Sequence, residues 1–272
     1  LNLSGALIEG YDGNEIIFAS QREPEEEDER AKGLQALSSS GLKDNTGLGI
    51  SVTEKGEVVE VNTVGNTKPG DILKIRVPRQ MSIAFNNDRS IFADTLHIKN
   101  IKGELEVSTS YNRVVLENNS GPMNIKTVYR DVEASFGNDV KGPISIISVY
   151  GHVDVAMPAA TKATLTLGTT YGKLYAADEL NITVTPKAEK SDDVVRAAKE
   201  AAPRAINVGK GRTAVVIPSA PAAVSSGSLE AVTVTGFAYR GNEPENIEGT
   251  INGGGTDLIL KSTYRNVYLR TK

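Results

Sequence analysis

Acidic and basic side chains recur along the middle of this 272-residue chain, where they could act on polysaccharides. Asp131, Asp139 and Asp154 are accompanied by Arg113 and Arg130. Two carboxylates about 5–10 Å apart can hydrolyse a glycosidic bond, and a base with an acid-stabilising partner suits elimination by a polysaccharide lyase. The positions that correspond to Arg113 and Asp131 elsewhere hold His, Lys and Asn, which is typical of solvated turns. This variation favours a non-enzymatic chain and leaves a polysaccharide lyase or glycoside hydrolase as the alternative.

Other motifs that could bind a ligand are incomplete. Gly209–Thr213 lacks the first glycine of a phosphate-binding loop. Asp44–Gly47 and Asn86–Asp88 contain oxygen ligands for calcium, but not the spacing or closing Glu of an EF-hand. The two histidines, His97 and His152, lie in a strand-like segment and a predicted corner, where solvated side chains are common. The sequence therefore predicts no catalytic residue, no metal site and no cofactor.

Composition excludes several classes of protein. The chain has no Cys and no Trp, so thiol catalysis, Cys-ligated zinc, iron–sulfur clusters and disulfides are absent. The net charge is −4 with an acidic run over 23–30, and no basic stripe follows the sequence, so we expect no nucleic-acid partner. No apolar stretch reaches the roughly 18 residues of a membrane span. The first residue is Leu1 rather than Met, which predicts a removed leader with an export signal or lipid anchor.

A repeat of about 20 residues organises the sequence and determines the predicted fold. Copies begin at Gly103, Gly121, Gly142 and Ala163, and a fifth closes the chain over Leu258–Leu269. Each copy has two short runs of alternating apolar residues, the pattern of half-buried strands, and a Ser or Thr precedes a Tyr by two residues. The recurring tyrosines are Tyr111, Tyr129, Tyr150, Tyr171 and Tyr264.

Units this short bury their apolar faces only by stacking on one another. The sequence therefore predicts an all-β chain, a single-stranded parallel β-helix (β-solenoid) with about 20 residues per coil and short helical insertions. Helices are expected over Ala31–Leu37 and Ser191–Ala202. We expect one domain with irregular coils over about 1–95, tyrosine-marked coils over about 96–177, an insertion over about 178–225 and closing coils over about 226–272.

Stacked coils would place equivalent tyrosines one above another, about 4.7–4.9 Å apart. Such a row is either a platform for sugar rings or an internal or corner stack that fixes the register of the coils, and we favour the stack. If the rings are buried, replacing Tyr129 or Tyr150 by Ala would cost roughly 3–5 kcal/mol of folding stability.

The coil array over Gly103–Tyr175 resembles the bacterial putative-adhesin family, a domain of unknown function in exported proteins of gut-type Gram-negative bacteria. The N-terminal segments Gly10–Gly13, Ala31–Leu34 and Asp44–Gly47 are similar to the signature of that family. The resemblance implies a β-helical cell-envelope protein with an adhesive role, and it supplies no catalytic residues.

These observations lead to one functional hypothesis with two alternatives. The first is a non-enzymatic β-solenoid, exported to the periplasm, the outer-membrane surface or the extracellular space, that presents a rigid surface to a polysaccharide or a surface protein. The second is the polysaccharide-degrading enzyme described above. The third is an envelope assembly scaffold without affinity for glycans.

Overall fold

The structure is a computed structural model that describes residues 1, 3–20, 29–31, 41–64, 72–88, 95–186 and 245–272. The helix predicted over Ser191–Ala202 and the loop Gly209–Thr213 lie outside these residues, as does the helix over Ala31–Leu37 apart from its first residue. Within the described part the chain is all-β, with two single-turn 3₁₀ segments, Glu29–Ala31 and Asp178–Leu180.

Nineteen strands account for the regular structure of these ranges. They are β1 Ala6–Tyr11, β2 Ile17–Ser20, β3 Ile50–Lys55, β4 Val58–Thr63, β5 Leu73–Pro78, β6 Ile83–Asn87, β7 Leu96–Lys99, β8 Leu105–Thr109, β9 Val114–Glu117, β10 Met123–Thr127, β11 Val132–Ser135, β12 Ile144–Ser148, β13 Val153–Met157, β14 Ala163–Thr169, β15 Leu174–Ala176, β16 Ile182–Val184, β17 Glu245–Ile251, β18 Thr256–Ser262 and β19 Val267–Thr271. No helix of the described residues is long and apolar enough to cross a membrane.

Two large sheets, both mainly parallel, contain most of the strands. The eight-stranded sheet has the order β16-β17-β14-β18-β12-β10-β8-β6, and the nine-stranded sheet has the order β15-β19-β13-β11-β9-β7-β1-β5-β2. Each repeat gives its first strand to the eight-stranded sheet and its second to the nine-stranded sheet. The predicted repeat therefore corresponds to one strand in each sheet.

Equivalent residues of the repeats are in register across each sheet. Leu105 pairs with Met123, Met123 pairs with Ile144, and Ile144 pairs with Leu258. Burial alternates along these strands because every second side chain points to the core. Ile125 and the other inward residues of the repeats are almost fully buried. The alternation of buried and outward residues explains the period-two pattern of the sequence.

The order of the repeats in space differs from their order in the chain. The closing copy does not follow the fourth copy, because β18 lies between β12 and β14 and β19 lies between β13 and β15. On its other side, β14 pairs antiparallel with β17, and β17 in turn pairs antiparallel with β16. At the other end of the nine-stranded sheet, β2 pairs antiparallel with β5, so both large sheets change direction at an edge.

Glycines occupy corners where two neighbouring repeats come into close contact. We use the word coil for the two strands of one repeat and the corner between them. A Cβ on Gly151 would lie 2.1 Å from the carbonyl oxygen of Arg130, and one on Gly121 would lie 2.1 Å from the carbonyl oxygen of Gly103. Neither position requires a positive φ, so the constraint is the separation of the backbones rather than the conformation of the residue. Larger side chains at these two positions would force the coils apart.

We expect Gly151→Ala to reduce the free energy of unfolding by about 1–3 kcal/mol, because the added methyl group meets backbone atoms that cannot rotate away. A matched control is Gly137→Ala, whose Cβ would first meet the Asp139 side-chain oxygen at 3.2 Å. Urea denaturation of both variants measures the effect. Equal midpoints for the two variants would contradict the close packing at Gly151.

Candidate functional site

A column of buried hydroxyl groups lies at the corner after the first strand of each of the five repeats. Its members are Thr109, Thr127, Ser148, Ser262 and Thr169, in spatial order. The Ser262 hydroxyl accepts a hydrogen bond from the Arg265 N–H (3.0 Å) and donates one to the Gly151 carbonyl of the neighbouring coil (2.8 Å). Ser148 and Thr169 repeat both bonds. Each of these three hydroxyls thus shapes its own corner and attaches it to the neighbouring coil.

The first coil of the array replaces part of this pattern with asparagines. Asn112 is fully buried, and its side-chain oxygen accepts hydrogen bonds from the Thr109 hydroxyl and from the Asn87 amide. The Asn112 amide donates to the Ser4 carbonyl. This network links β6 and β8 to the N-terminal segment, and sequence analysis did not identify it because Asn87 takes the slot of a hydroxyl residue.

Two residues beyond each hydroxyl, a tyrosine projects from the corner. The rings follow one another in the order Tyr111, Tyr129, Tyr150, Tyr264 and Tyr171, which we call the tyrosine ridge. Centroids of neighbouring rings are 4.6–5.3 Å apart, and their planes differ by 5–19°. Tyr264 of the closing repeat lies between Tyr150 and Tyr171, as the strand order requires.

The ridge is a corner stack on the protein surface rather than in its interior. Four of its side chains are 43–47% exposed, and Tyr111 is half-buried. The cost of 3–5 kcal/mol expected for an internal stack is therefore too high for Tyr129 and Tyr150. Because each ring covers the face of the next, an internal ring offers solvent its edge and hydroxyl group. A sugar ring can stack face-on only at the two ends of the row, which corrects the idea of a continuous stacking platform.

Basic side chains accompany the tyrosine ridge on both sides. For each ridge tyrosine we consider the segment from three residues before it to two residues after it. Together the five segments contain six Lys or Arg residues and a single acid, Asp131. The bases are Arg113, Lys126, Arg130, Lys173, Lys261 and Arg265. Lys126, Arg130, Lys261 and Arg265 are exposed and form no ion pair with any described residue. The ridge therefore has a positive local charge in a chain whose net charge is −4.

Two of the three carboxylates proposed for catalysis, Asp131 and Asp154, are each bound by a partner. Asp131 accepts a hydrogen bond from the His152 N–H at 2.6 Å. Asp154 lies on β13 and is bound by Arg270, with Nε–Oδ1 and Nη2–Oδ2 distances of 2.8 and 2.9 Å. The Asp154 interaction raises the pKa of the Arg270 guanidinium through a hydrogen bond and charge attraction.

The remaining residues of that hypothesis have other surroundings, and the charge of Asp131 also acts on the Arg113 guanidinium. Arg113 forms an ion pair with Glu133 on β11, and this contact raises the pKa of the guanidinium. Arg130 is exposed beside the tyrosine ridge, and Asp139 is exposed between β11 and β12. The five residues of the enzymatic hypothesis are thus distributed over a corner, an outer sheet face and a turn.

The candidate metal ligands are used within the fold. The Asp44 carboxylate accepts hydrogen bonds from the N–H groups of Thr46, Gly47 and Gly49. Although partial burial opposes ionisation, these bonds and that of the Thr46 hydroxyl lower the pKa of the carboxyl group. Among the described residues, no group of three or more histidines and acids could hold a metal ion.

The two histidines are half-buried and lie on separate parts of the nine-stranded sheet. His97 Nε2 is 3.2 Å from Glu117, whereas the His152 ring lies 5.8 Å from that of Tyr268. Tyr268 also stacks with Tyr175 at 5.3 Å, a second aromatic pair outside the tyrosine ridge. The sequence pattern did not reveal this pair, because only two of the coils contribute to it.

Comparisons with known proteins give little for this chain. No family model matches it, and no curated protein matches it. A solved structure described as a putative cell adhesion protein from Clostridium sporogenes aligns with a TM-score of 0.38 at 10% sequence identity. The alignment covers 100% of this chain and 89% of that chain.

We expect Ser262→Ala to lower the free energy of unfolding by about 1–3 kcal/mol, because the Arg265 N–H and the Gly151 carbonyl lose a buried partner. The matched control is Ser108→Ala, which removes an exposed hydroxyl from β8. Thermal denaturation measures both changes. A loss in the control as large as that in Ser262→Ala would contradict the role of the buried column.

The ridge should also make the protein sensitive to alkali. The pKa of Tyr264 is raised mainly by the charge of the Tyr150 phenol, and further by desolvation and by Tyr171. The pKa of Tyr111 is raised mainly by desolvation and further by Tyr129. Unfolded tyrosines ionise near pH 10, where these two folded side chains still hold their protons. Their contribution to stability is complete below that pH and is lost as the pH rises through the folded pKa.

Absorbance titration of the phenolates is the measurement. We expect Tyr150→Phe to lower the pKa of Tyr264, since it removes the phenol whose charge contributes most to raising that pKa. A Tyr264 titration unchanged by Tyr150→Phe would show that these two ridge hydroxyls do not interact.

Proposed function

We propose that this chain is a non-enzymatic, adhesin-like protein whose tyrosine ridge contacts an extended partner, a glycan or a surface protein. The observation that supports the proposal most directly is the row of five stacked tyrosines, four of them exposed, beside four bases that form no ion pair with any described residue. A monomeric surface without a role in binding would leave such an aromatic row unexplained. Tyrosine and arginine are also the residue types enriched where proteins recognise partners.

The proposal includes a specific architecture. We infer that the two sheets are opposite walls of a single-stranded parallel β-helix, with each repeat as one coil. In-register pairing in both sheets and the hydroxyl column at the intervening corner support this interpretation. Because every coil is attached to the next, the ridge would be rigid before binding, which lowers the entropic cost of association.

The absence of a catalytic role belongs to the same proposal. A glycosidase needs two carboxyl groups that converge on one bond, one of them able to give up a proton. Here Asp154 is bound by Arg270, and Asp131 is bound by a backbone N–H. These contacts favour structural roles for both acids.

The location of the protein and its membership of a family are further parts of the proposal. The similarity of the repeat and of the N-terminal segments to the putative-adhesin family supports an exported, cell-envelope location. A rigid ridge would be useful there, since envelope surfaces present extended polymers.

The proposal predicts that ridge tyrosines are needed for retention on immobilised bacterial or host polysaccharides or matrix proteins. We expect Tyr129→Ala/Tyr264→Ala to weaken the retained interaction about tenfold or more, or 1.4 kcal/mol. Tyr175→Ala is the control, because this ring is equally exposed at 46% but stacks on the nine-stranded sheet.

Both variants must first keep the melting temperature close to that of the parent chain, which the exposure of the rings makes feasible. Retention that both variants reduce equally would contradict a specific ridge. Failure of the parent chain to bind any of the polysaccharides and matrix proteins would overturn the adhesive function and favour an envelope scaffold.

A further inference from the structure

Four of the six bases of the tyrosine ridge, Lys126, Arg130, Lys261 and Arg265, are arranged with a period of two coils. In spatial order, the position directly after the tyrosine holds Arg130, Gly151, Arg265 and Gly172 in the last four coils. Two arginines thus alternate with two glycines. Since neighbouring coils are about 4.7–4.9 Å apart, Arg130 and Arg265 emerge about 10 Å apart along the ridge.

The other side of the ridge has the same period. Lys126 pairs in register with Ile147, which pairs with Lys261, and Lys261 pairs with Gly168. Each of two coils therefore has a lysine on one flank of its tyrosine and an arginine on the other, whereas the coil between them has neither. Lys–Arg pairs therefore recur every second coil, and tyrosine recurs at every coil. The two outer coils each carry one further base, Arg113, which forms an ion pair with Glu133, and Lys173.

Resting on the proposed function, we infer that the tyrosine ridge binds a linear polysaccharide that has an anionic group on every second sugar. One sugar of an extended, diequatorially linked chain advances by nearly the same distance as one coil. A disaccharide repeat then matches two coils, which brings each carboxylate to a Lys–Arg pair. Phenol hydroxyls at every coil can donate to or accept from the sugar hydroxyls in between.

Two other polyanions fit the ridge less well. Proteins that bind single-stranded nucleic acid stack bases on aromatic faces, but the faces of the internal ridge rings are covered by their neighbours. An acidic peptide that binds as an added strand needs a free sheet edge, whereas the ridge backbone is already bonded between coils. A sugar chain needs only ring edges, hydroxyl groups and cations, and these are what the ridge exposes.

The experiment compares three oligosaccharides of equal length by calorimetry at two salt concentrations. Hyaluronan has one carboxylate per disaccharide, the diequatorially linked oligomannuronate has one on every sugar, and a cellodextrin has none. We expect hyaluronan to bind most tightly and its affinity to fall as salt rises, because exposed charges are screened. Oligothymidylate and polyglutamate test the other polyanions.

The decisive variant is Arg130→Gln/Arg265→Gln, which should weaken hyaluronan binding about tenfold or more. Its control, Lys102→Gln/Lys141→Gln, removes the same charge from exposed lysines on the segments that precede β8 and β12. The control should bind like the parent chain. Equal losses in the two variants would show a general effect of net charge and overturn the ridge as the site.

The remaining outcomes separate this inference from the proposed function. Tighter binding of oligomannuronate would overturn the two-coil period, and equal binding of oligothymidylate or polyglutamate would overturn the polysaccharide class. Binding of cellodextrin alone, lost in Tyr129→Ala/Tyr264→Ala, would overturn the inference and leave the proposed function standing. No binding to any of these probes would overturn the inference, and the proposed function would fall with it only if the chain also binds none of the immobilised polysaccharides and matrix proteins.

Discussion

A buried hydroxyl that holds two coils together is the interaction on which the rest of the structure depends. At the corner after β12, after β18 and after β14, one Ser or Thr accepts from an N–H of its own coil and donates to a carbonyl of the adjacent coil. A buried polar group without these bonds would destabilise the corner, so the residue type is strongly constrained. The same bonds determine the direction in which the chain leaves the strand, and hence where the following tyrosine projects.

The properties of the tyrosine ridge follow from this constraint. Because the corners are superposed, the rings stack at the spacing of the coils and share their faces with one another. Stacking covers the apolar faces and leaves the phenol edges in solvent, which makes an exposed aromatic row tolerable in water. Charges on the residues beside the tyrosines are superposed in the same way, and they form rows whose period depends on which coils contain a base.

Much of the fold could be predicted from the sequence, because alternating burial and a marked corner repeat in every coil. The inward face of a strand can be identified from its own alternating apolar residues, such as Leu105 and Val107 or Ile144 and Ile146, without knowing which strands lie beside it. The order of the coils could not be predicted in this way. Ile144 and Leu165, which both pair with Leu258 of β18, are apolar residues of the same kind. The sequence pattern therefore does not tell whether the closing copy lies between the third and fourth copies or after the fourth.

The candidate site was predicted only in part, for a related reason. The five tyrosines were visible as a repeat, but their exposure depends on the angle of the corner, which the sequence does not specify. The bases were not recognised as a stripe, since Lys126 and Lys261 are far apart in the chain and become second neighbours only through the inserted coil. Conversely, the sequence presents Asp131 and Asp154 as candidate catalytic acids, and it does not indicate the backbone N–H that binds the first or the Arg270 guanidinium that binds the second.

The central claim is that partners bind along the tyrosine ridge, and hydroxyl-radical footprinting tests it most directly. Oxidation of each tyrosine ring would be measured by mass spectrometry with and without a saturating hyaluronan oligosaccharide. Protection of Tyr129, Tyr150 and Tyr264, with Tyr175 unchanged on the nine-stranded sheet, is the predicted result. Protection of Tyr175 with the ridge still fully reactive would place the binding surface elsewhere and contradict the claim.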